Sequence, residues 1–557
     1  MTTTSARPVR STLRTLTRQF GRRALGRLLR LPAETTGYTV NRVAVPMRDG
    51  VDLVADHYAP TDTDPVGTLL ARGPYGRAFP FSLVIGALYA ARGYHVLLQS
   101  VRGTFGSGGV FEPMIREADD GADTVAWLRR QSWFTGRFAT VGVSYLGFTQ
   151  WAILQDPPPE LAAAVIVAGP HDFGASAWGT GAFTVNNFLG WSHLVAHQED
   201  PGRIRAGIRQ LRSWRRVARA AGEVPLGASS RALLGEGAPW YESWLEHPDP
   251  GDPFWDRLRV NEALDRVQVP VLLVGGWQDL FLRQTLEQYR HLRDRNVDVA
   301  LTVGPWTHTQ LLTKGLATIS RESLAWLDTH LHAASAEPRP APVRVFVSGH
   351  GWRELPDWPP ATVEHALYLQ PGGGLADTPP PAAQHMKPAT FRFDPADPTP
   401  TIGGPLLSPD GGYRDDSRLA RRDDVLAFTS DPLGEDLDVQ GNPVVELAHT
   451  SDNPHVDVFA RVSEVDARGR SVNVSDGYRR LPETGPDGEM VRLELDAIAH
   501  RFRAGSRIRV LVAGGWHPRY ARNLGTGEPV LTGRQMRSAT HAVHFGTSRL
   551  LLPVDQG

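Results

Sequence analysis

Short apolar runs that alternate with helix-length stretches constrain this chain most. From about Asn41 to Pro170, the runs GTLLARGP, GYHVLLQS, RFATVGVS and AAAVIVAGP have the length of buried strands. READDGADTVAWLRRQ and YLGFTQWAIL carry helical spacing between them. NRVAVPMRDGVDLVADHYAP reads as a hairpin turning at Asp49-Gly50. The rhythm resumes after Pro250 with VPVLLVGGW, LRQTLEQYRHLRD, VALTVGPW and RESLAWLDTHLH. Strands that alternate with helices build a mostly parallel sheet covered on both faces.

An α/β core is therefore expected over 39–173 and 250–335. Residues 174–249 interrupt it with a helical period rich in Trp, Arg and Ala, too long for an ordinary connection, and read as an inserted helical cap. AASAEPRPAP is a Pro/Ala linker. Beyond it, over 340–557, PVRVFVSG, EHALYLQ, TFRFD, VVELAHT, HVDVFARVSEVD, VRLELDAIAHRF, RIRVLVAGG and HAVHFG are short strands without helices. They predict a C-terminal β-sandwich of jelly-roll type. A chain of 557 residues is long enough to need several such units.

The segment RFATVGVSYLGFTQW carries the sharpest chemical signal. An apolar strand ends at Val143, Ser144 follows, and a helix starts at once. A nucleophile elbow needs that context, because a tight strand-to-helix turn lifts the hydroxyl above the sheet. The general pattern is G-x-S-x-G. Here it is G-x-S-x-x-G, with Leu146 at the usual second-glycine position and Gly147 one place later. The alternative is a serine that merely caps the helix.

The partners of such a serine follow in the order acid, then histidine, each after a later strand. Strand VPVLLVGG is followed by Trp277-Gln278-Asp279, and strand VALTV by Gly304-Pro305-Trp306-Thr307-His308. Both stand at the sheet edge where open α/β folds keep their sites. Taken singly, Asp279 also reads as a helix cap and His308 as a satisfied loop histidine. Together with Ser144 they form a catalytic triad, with His308 as base and Asp279 holding the imidazole. An oxyanion needs donors. One is the backbone N–H of Tyr145. The loop after GTLLARGP offers Gly73-Pro74-Tyr75; proline has no N–H, so the Tyr75 hydroxyl is the second candidate. A packed core tyrosine is the alternative there.

Composition removes other classes. A net charge of −1 gives no electrostatic case for nucleic acid. Zero cysteines exclude disulfides, a thiolate nucleophile and thiolate metal sites. Gly106–Gly109 lacks the GK[ST] ending of a phosphate loop. His350 and His517 lie in sandwich loops without metal-ligand spacing, so neither metal nor cofactor is expected. No apolar run of about 18 residues occurs, so no spanning helix is expected. The basic segment 1–38 carries eight arginines and no acid between Arg7 and Pro32. Leu13, Leu16, Phe20, Leu25, Leu28 and Leu29 share a broad helical face. It reads either as a membrane-surface or oligomer-contact helix or as a solvated tail, and arginines break any secretory core. A cytoplasmic location is expected, with membrane-surface association through this segment as the variant.

GVSYLG, GWQDLF, GPWTH and RGPY together resemble the CocE/NonD hydrolases, the S15 peptidase type that joins cocaine esterase-like enzymes, α-amino acid ester hydrolases and X-Pro dipeptidyl-peptidases. The likeness runs from about Asn41 to the C-terminus and includes cap and sandwich. It implies Tyr75 as oxyanion donor, and an acyl pocket from Trp178 in ASAWGTGAF, Trp191 in NNFLGW and Phe281 in GWQDLF. An apolar acyl group fits three aromatics near a nucleophile, although these rings, Trp191 above all, could equally glue cap to core. The resemblance also implies a small-molecule ester substrate and allows a homodimer. Two departures stand out. Leu280, Phe281 and Leu282 follow Asp279 where amino-ester hydrolases carry acids, so a substrate ammonium would meet no counter-charge there. Ser100 stands where relatives often carry Asp, which changes the surroundings of Arg102. The expected reaction is acyl-ester hydrolysis through an acyl-enzyme. X-Pro dipeptidyl-peptidase or β-lactam/amide acylase activity on the same triad is the alternative. A surface-binding protein with a vestigial hydrolase is a third reading.

Overall fold

The structure, a computed structural model, describes residues 23–200, 203–332, 339–381, 385–482 and 489–556, without the side chains of 203–212. Ten strands form the first sheet: β1 (Tyr38–Pro46), β2 (Asp52–Pro60), β3 (Gly67–Gly73), β4 (Tyr94–Ser100), β5 (Phe138–Val143), β6 (Leu161–Val167), β7 (Val271–Gln278), β8 (Val299–Thr307), β9 (Val343–Val347) and β10 (Gly351–Leu355). Their order is β1-β2-β4-β3-β5-β6-β7-β8-β9-β10. The β1–β2 hairpin turns at Asp49-Gly50, where Gly50 has φ +84° and its N–H bonds Met47 O at 3.0 Å. β4, β3 and β5 to β9 run parallel. This is the α/β-hydrolase arrangement that the alternating pattern predicts.

The parallel strands read as continuous apolar runs because both faces are covered. Helices Glu117–Leu128, Tyr145–Ile153 and Leu282–Asp294 pack Val125, Leu128, Phe148, Trp151 and Leu292 on one face. Helices Leu88–Ala90 and Leu316–His330 pack Leu88, Leu324 and Leu327 on the other. Between β6 and β7 the chain leaves the sheet and forms helices Phe173–Trp178, Val185–His197, Arg203–Gly222, Leu226–Leu234 and Trp240–Glu246.

The C-terminal part is a β-sandwich around an apolar core that includes Leu369, Phe428, Val445, Val462, Val510 and Leu550. Its organising element is the strand Ala539–Asp555, which pairs with Thr362–Gln370, Ala389–Phe393 and Val444–Ser451. One expectation is corrected here. PVRVFVSG was expected among the sandwich strands, but Val343–Val347 pairs in parallel with β8, and Gly351–Leu355 closes that edge antiparallel. The edge of β8 needs hydrogen-bond partners, and a period-2 strand looks the same whichever sheet it joins. The linker thus marks a change in strand texture two strands before the change of sheet. The two parts meet through hydrogen bonds: Gln278 Nε2 donates to Val474 O at 3.2 Å, Arg283 Nε to Asp496 at 3.0 Å, and Ala521 N to Phe183 O at 2.8 Å.

Of the basic N-terminal segment, residues 1–22, with Leu13, Leu16 and Phe20, lie outside the described residues. The described remainder lies on the core. Leu29 is buried, its carbonyl accepts from Arg321 at 2.9 Å, and Arg92 donates to Pro32 O. Leu28 points to solvent. Among the described residues no helix is long and apolar enough to cross a membrane.

Candidate active site

Ser144 leaves β5 with φ +62° and ψ −122°, a conformation that non-glycine residues rarely adopt. Its N–H bonds Val167 O on β6 at 2.9 Å, and its carbonyl starts the helix Tyr145–Ile153 by accepting from Phe148 N at 3.1 Å. The serine stands at the helix cap position, yet its side chain makes no capping hydrogen bond. The capping alternative therefore does not describe it.

The shifted glycine has a packing reason. A Cβ on Gly147 would lie 2.5 Å from the Cα of Gly169, just past β6, so this is where the helix touches the next strand's exit. Leu146, at the usual second-glycine position, lays its side chain over Gly73, where no Cβ stands in its way.

Asp279 follows β7 and is buried. Its two oxygens have different partners. Oδ1 accepts the Phe281 N–H at 2.7 Å, and Oδ2 accepts from His308 Nδ1 at 2.7 Å. The turn-capping bond and the bond to the imidazole thus coexist, one oxygen each. His308 follows β8 at the start of the helix His308–Leu311, where a reciprocal capping pair of Thr307 and Gln310 fixes the backbone. A carboxylate only accepts, so the proton is on Nδ1 and the lone pair is on Nε2. The Phe281 ring meets the imidazole edge-on, 5.4 Å between centroids.

The Tyr75 phenol feels Trp191 and Ser144, both of which lower its pKa, while His308 is held through Nδ1 by Asp279. Tyr75 is half-buried, stacks on Phe81 at 5.8 Å, and accepts a hydrogen bond from Trp191 Nε1 at 2.9 Å. Burial raises its pKa, opposed in part by the bonds from Trp191 and Ser144, so it remains a neutral donor at ordinary pH. The Tyr145 N–H lies in the first helical turn, where intrahelical acceptors are lacking. The Tyr145 side chain is locked elsewhere: its hydroxyl donates to Glu117 at 2.8 Å and accepts from Met114 N at 2.7 Å. Glu117 is buried and paired with Arg72 at 3.1 Å; burial raises its pKa and Arg72 pulls it back.

The predicted residues thus form two groups, Asp279–His308–Phe281 and Ser144–Tyr75–Trp191–Tyr145. Trp178 belongs to neither. Its indole N–H donates to Trp244 O at 2.8 Å and its ring rests on Phe183 at 5.2 Å, inside the cap's own core. Two residues not singled out from sequence join instead. Phe111 meets Tyr145 at 6.1 Å, Trp191 at 6.5 Å and Trp240 at 5.4 Å, and Trp240 meets Trp191 at 6.2 Å. Nothing local in GGVFEPM marks Phe111; the contact arises only when the cap folds over the core. Among the described residues, the carboxylates bonded to these two groups, Glu117 and Asp279, are already paired. Arg102, whose surroundings were in question, is satisfied by Asp49 at 2.8 Å and Asp120 at 2.7 Å, while Ser100 serves Arg77.

Comparison with known proteins adds a separate line. Residues 49–310 match the model of the X-Pro dipeptidyl-peptidase (S15 family), and 336–550 match the X-Pro dipeptidyl-peptidase C-terminal non-catalytic domain. Cocaine esterase from Rhodococcus sp. (strain MB1 Bresler) is 32% identical, over 92% of this chain and 98% of that protein. Among solved structures, an aminopeptidase from a marine sediment Thaumarchaeota archaeon superposes with a TM-score of 0.79 at 24% identity, covering 94% of this chain and 98% of that one. An α-amino acid ester hydrolase does so with a TM-score of 0.79 at 23% identity and the same coverage. At those identities the two superpositions speak for the fold.

Proposed function

The chain belongs to the S15 hydrolases of the CocE/NonD type, and from that membership we propose that it cleaves neutral acyl esters with Ser144, Asp279 and His308 as its catalytic triad. The relative with 32% identity is an esterase by name. The observation that carries the reading is the 2.7 Å bond that holds His308 Nδ1 on buried Asp279, at the sheet edge where Ser144 stands on its elbow.

The chemistry follows from where protons can go. His308 Nε2 accepts the Ser144 proton as Oγ attacks the ester carbonyl, and the imidazolium so formed is stabilised by Asp279. The carbonyl oxygen becomes an oxyanion received by the Tyr75 hydroxyl and the Tyr145 N–H. His308 returns the proton to the leaving alcohol, which leaves an acyl-Ser144. Water, deprotonated by His308, reverses the sequence and frees the acid. Trp191 and Phe281 supply apolar surface for the acyl group, with Phe111 and Trp240 behind Trp191. With Glu117 and Asp279 paired, a substrate ammonium meets no free counter-charge from them, which favours a neutral ester over an Xaa-Pro amine terminus.

Hydrolysis of p-nitrophenyl esters by the wild type and Ser144→Ala tests the reading. Loss of nearly all turnover in Ser144→Ala is expected, and wild-type turnover in that variant refutes it. Faster turnover of Xaa-Pro-p-nitroanilide than of a neutral aryl ester would overturn the substrate class alone.

A further inference from the structure

A phenol has a single proton to donate, and its oxygen can spend itself as an acceptor instead. Which way the Tyr75 hydroxyl points therefore decides whether it can serve an oxyanion. An indole N–H can only donate. Trp191 Nε1 donates to the Tyr75 oxygen at 2.9 Å, so that bond claims the acceptor side of the phenol. The Tyr75 proton is thereby left for an acceptor that arrives in the site.

We propose that Trp191 is a positioning residue that commits the Tyr75 hydroxyl to donation and holds it at the nucleophile; this rests on Tyr75 being the oxyanion donor proposed above. The donor also polarises the phenol. An N–H on the oxygen draws density from the O–H bond and strengthens it as a donor when negative charge builds opposite.

Trp191 is itself fixed. Its ring lies parallel to Tyr145 with 6.1 Å between centroids and 7° between planes. Tyr145 is anchored through Glu117 to Arg72. The arrangement thus runs Arg72, Glu117, Tyr145, Trp191, Tyr75. Trp191 comes from the cap helix Val185–His197 and Tyr75 from the loop after β3. A second tie joins the same pieces: Gln198, at that helix's C-terminal end, donates to the carbonyl of Pro74 at 2.9 Å. The cap therefore holds the tyrosine loop through a side chain and through the backbone next to it.

Trp191→Phe tests the proposal, because it keeps an aromatic ring on Tyr145 and removes the N–H. Turnover of a p-nitrophenyl ester is expected to fall about tenfold, the worth of one hydrogen bond. Tyr75→Phe is expected to cost about 10²- to 10³-fold, as for other oxyanion donors. The double variant decides: Trp191→Phe should cost nothing further once Tyr75 has lost its hydroxyl. The same pattern is expected in the inactivation rate by an aryl phosphonate, whose phosphoryl oxygen occupies the oxyanion position. If Trp191→Phe costs the same factor with or without the Tyr75 hydroxyl, Trp191 only lines the pocket and the proposal fails while the oxyanion reading stands. If Tyr75→Phe keeps wild-type kcat, the oxyanion reading itself fails and takes this proposal with it. Should Trp191→Phe not fold, β-(3-benzothienyl)alanine at position 191 preserves the ring and replaces the N–H by sulfur.

Discussion

Asp279→Asn separates orientation from charge in this site. The carboxylate has two acceptor oxygens, one on the Phe281 N–H and one on the His308 Nδ1–H, both at 2.7 Å. An asparagine has one acceptor and one donor in their place. If its carbonyl stays on Phe281, its NH2 faces His308. The imidazole must then accept at Nδ1 and carry its proton on Nε2, where it can no longer take one from Ser144. If the amide flips, the buried Phe281 N–H loses its acceptor, at about 1–3 kcal/mol. The first arrangement keeps every buried group paired and is the expected one. A wrong tautomer in an otherwise intact triad lowers kcat about 10⁴-fold, or about 5 kcal/mol of barrier. The assay is kcat on a p-nitrophenyl ester between pH 7 and 9, with a thermal melt to show that the fold persists. A drop of less than about tenfold in a folded protein would show that His308 does not depend on Asp279 for its tautomer.

Glycine-to-alanine changes inside helices usually gain up to about 1 kcal/mol. Gly147→Ala should do the reverse, because its Cβ would meet the Gly169 backbone; a loss of about 1–3 kcal/mol is expected by thermal unfolding. An unchanged or higher melting temperature would show that the elbow has slack. Several buried histidines are held neutral: burial lowers His57, His171 and His449 to about 4 and His541 to about 3. Their folded pKa lies below the unfolded 6.5, so the unfolded chain binds more protons between those values. Stability should therefore be full above about pH 6.5 and fall from there toward pH 4, by up to about 1.4 kcal/mol per pH unit for each histidine. Between pH 6.5 and 5 most carboxylates stay ionised, so a flat melting temperature over that window would contradict the assignment.

What was legible in the sequence follows from the range of the interactions. Ser144, Asp279 and His308 could be singled out because each directly follows its own apolar strand, and a parallel sheet brings all such exits to one edge. Tyr75 could be put forward as an oxyanion donor because Pro74 offers no N–H. The position of Gly147 could be seen but not explained, because its reason is the Gly169 backbone on another strand. Val343–Val347 was assigned to the wrong sheet because alternation records that a strand exists and not which edge it completes. Phe111 and Trp240 carried no signal at all. Their contacts join a loop of the core to the far end of the cap, and residues that meet only after folding leave no local periodicity.

The two halves of the site are supported by different parts of the fold. His308 and Asp279 hang on neighbouring parallel strands, β7 and β8, and their bond needs nothing from the cap. Tyr75 sits on a loop whose side chain and backbone are both tied to the cap helix. A disturbance of the cap should therefore weaken oxyanion stabilisation and leave the Asp279–His308 bond in place. A cap lesion should then lower kcat on a p-nitrophenyl ester by a factor that multiplies with that of Asp279→Asn, and a strongly non-multiplicative double variant would show that the two halves are coupled. The cap, whose sequence alone suggests only a lid over an acyl pocket, then acts as part of the machinery that receives the developing charge.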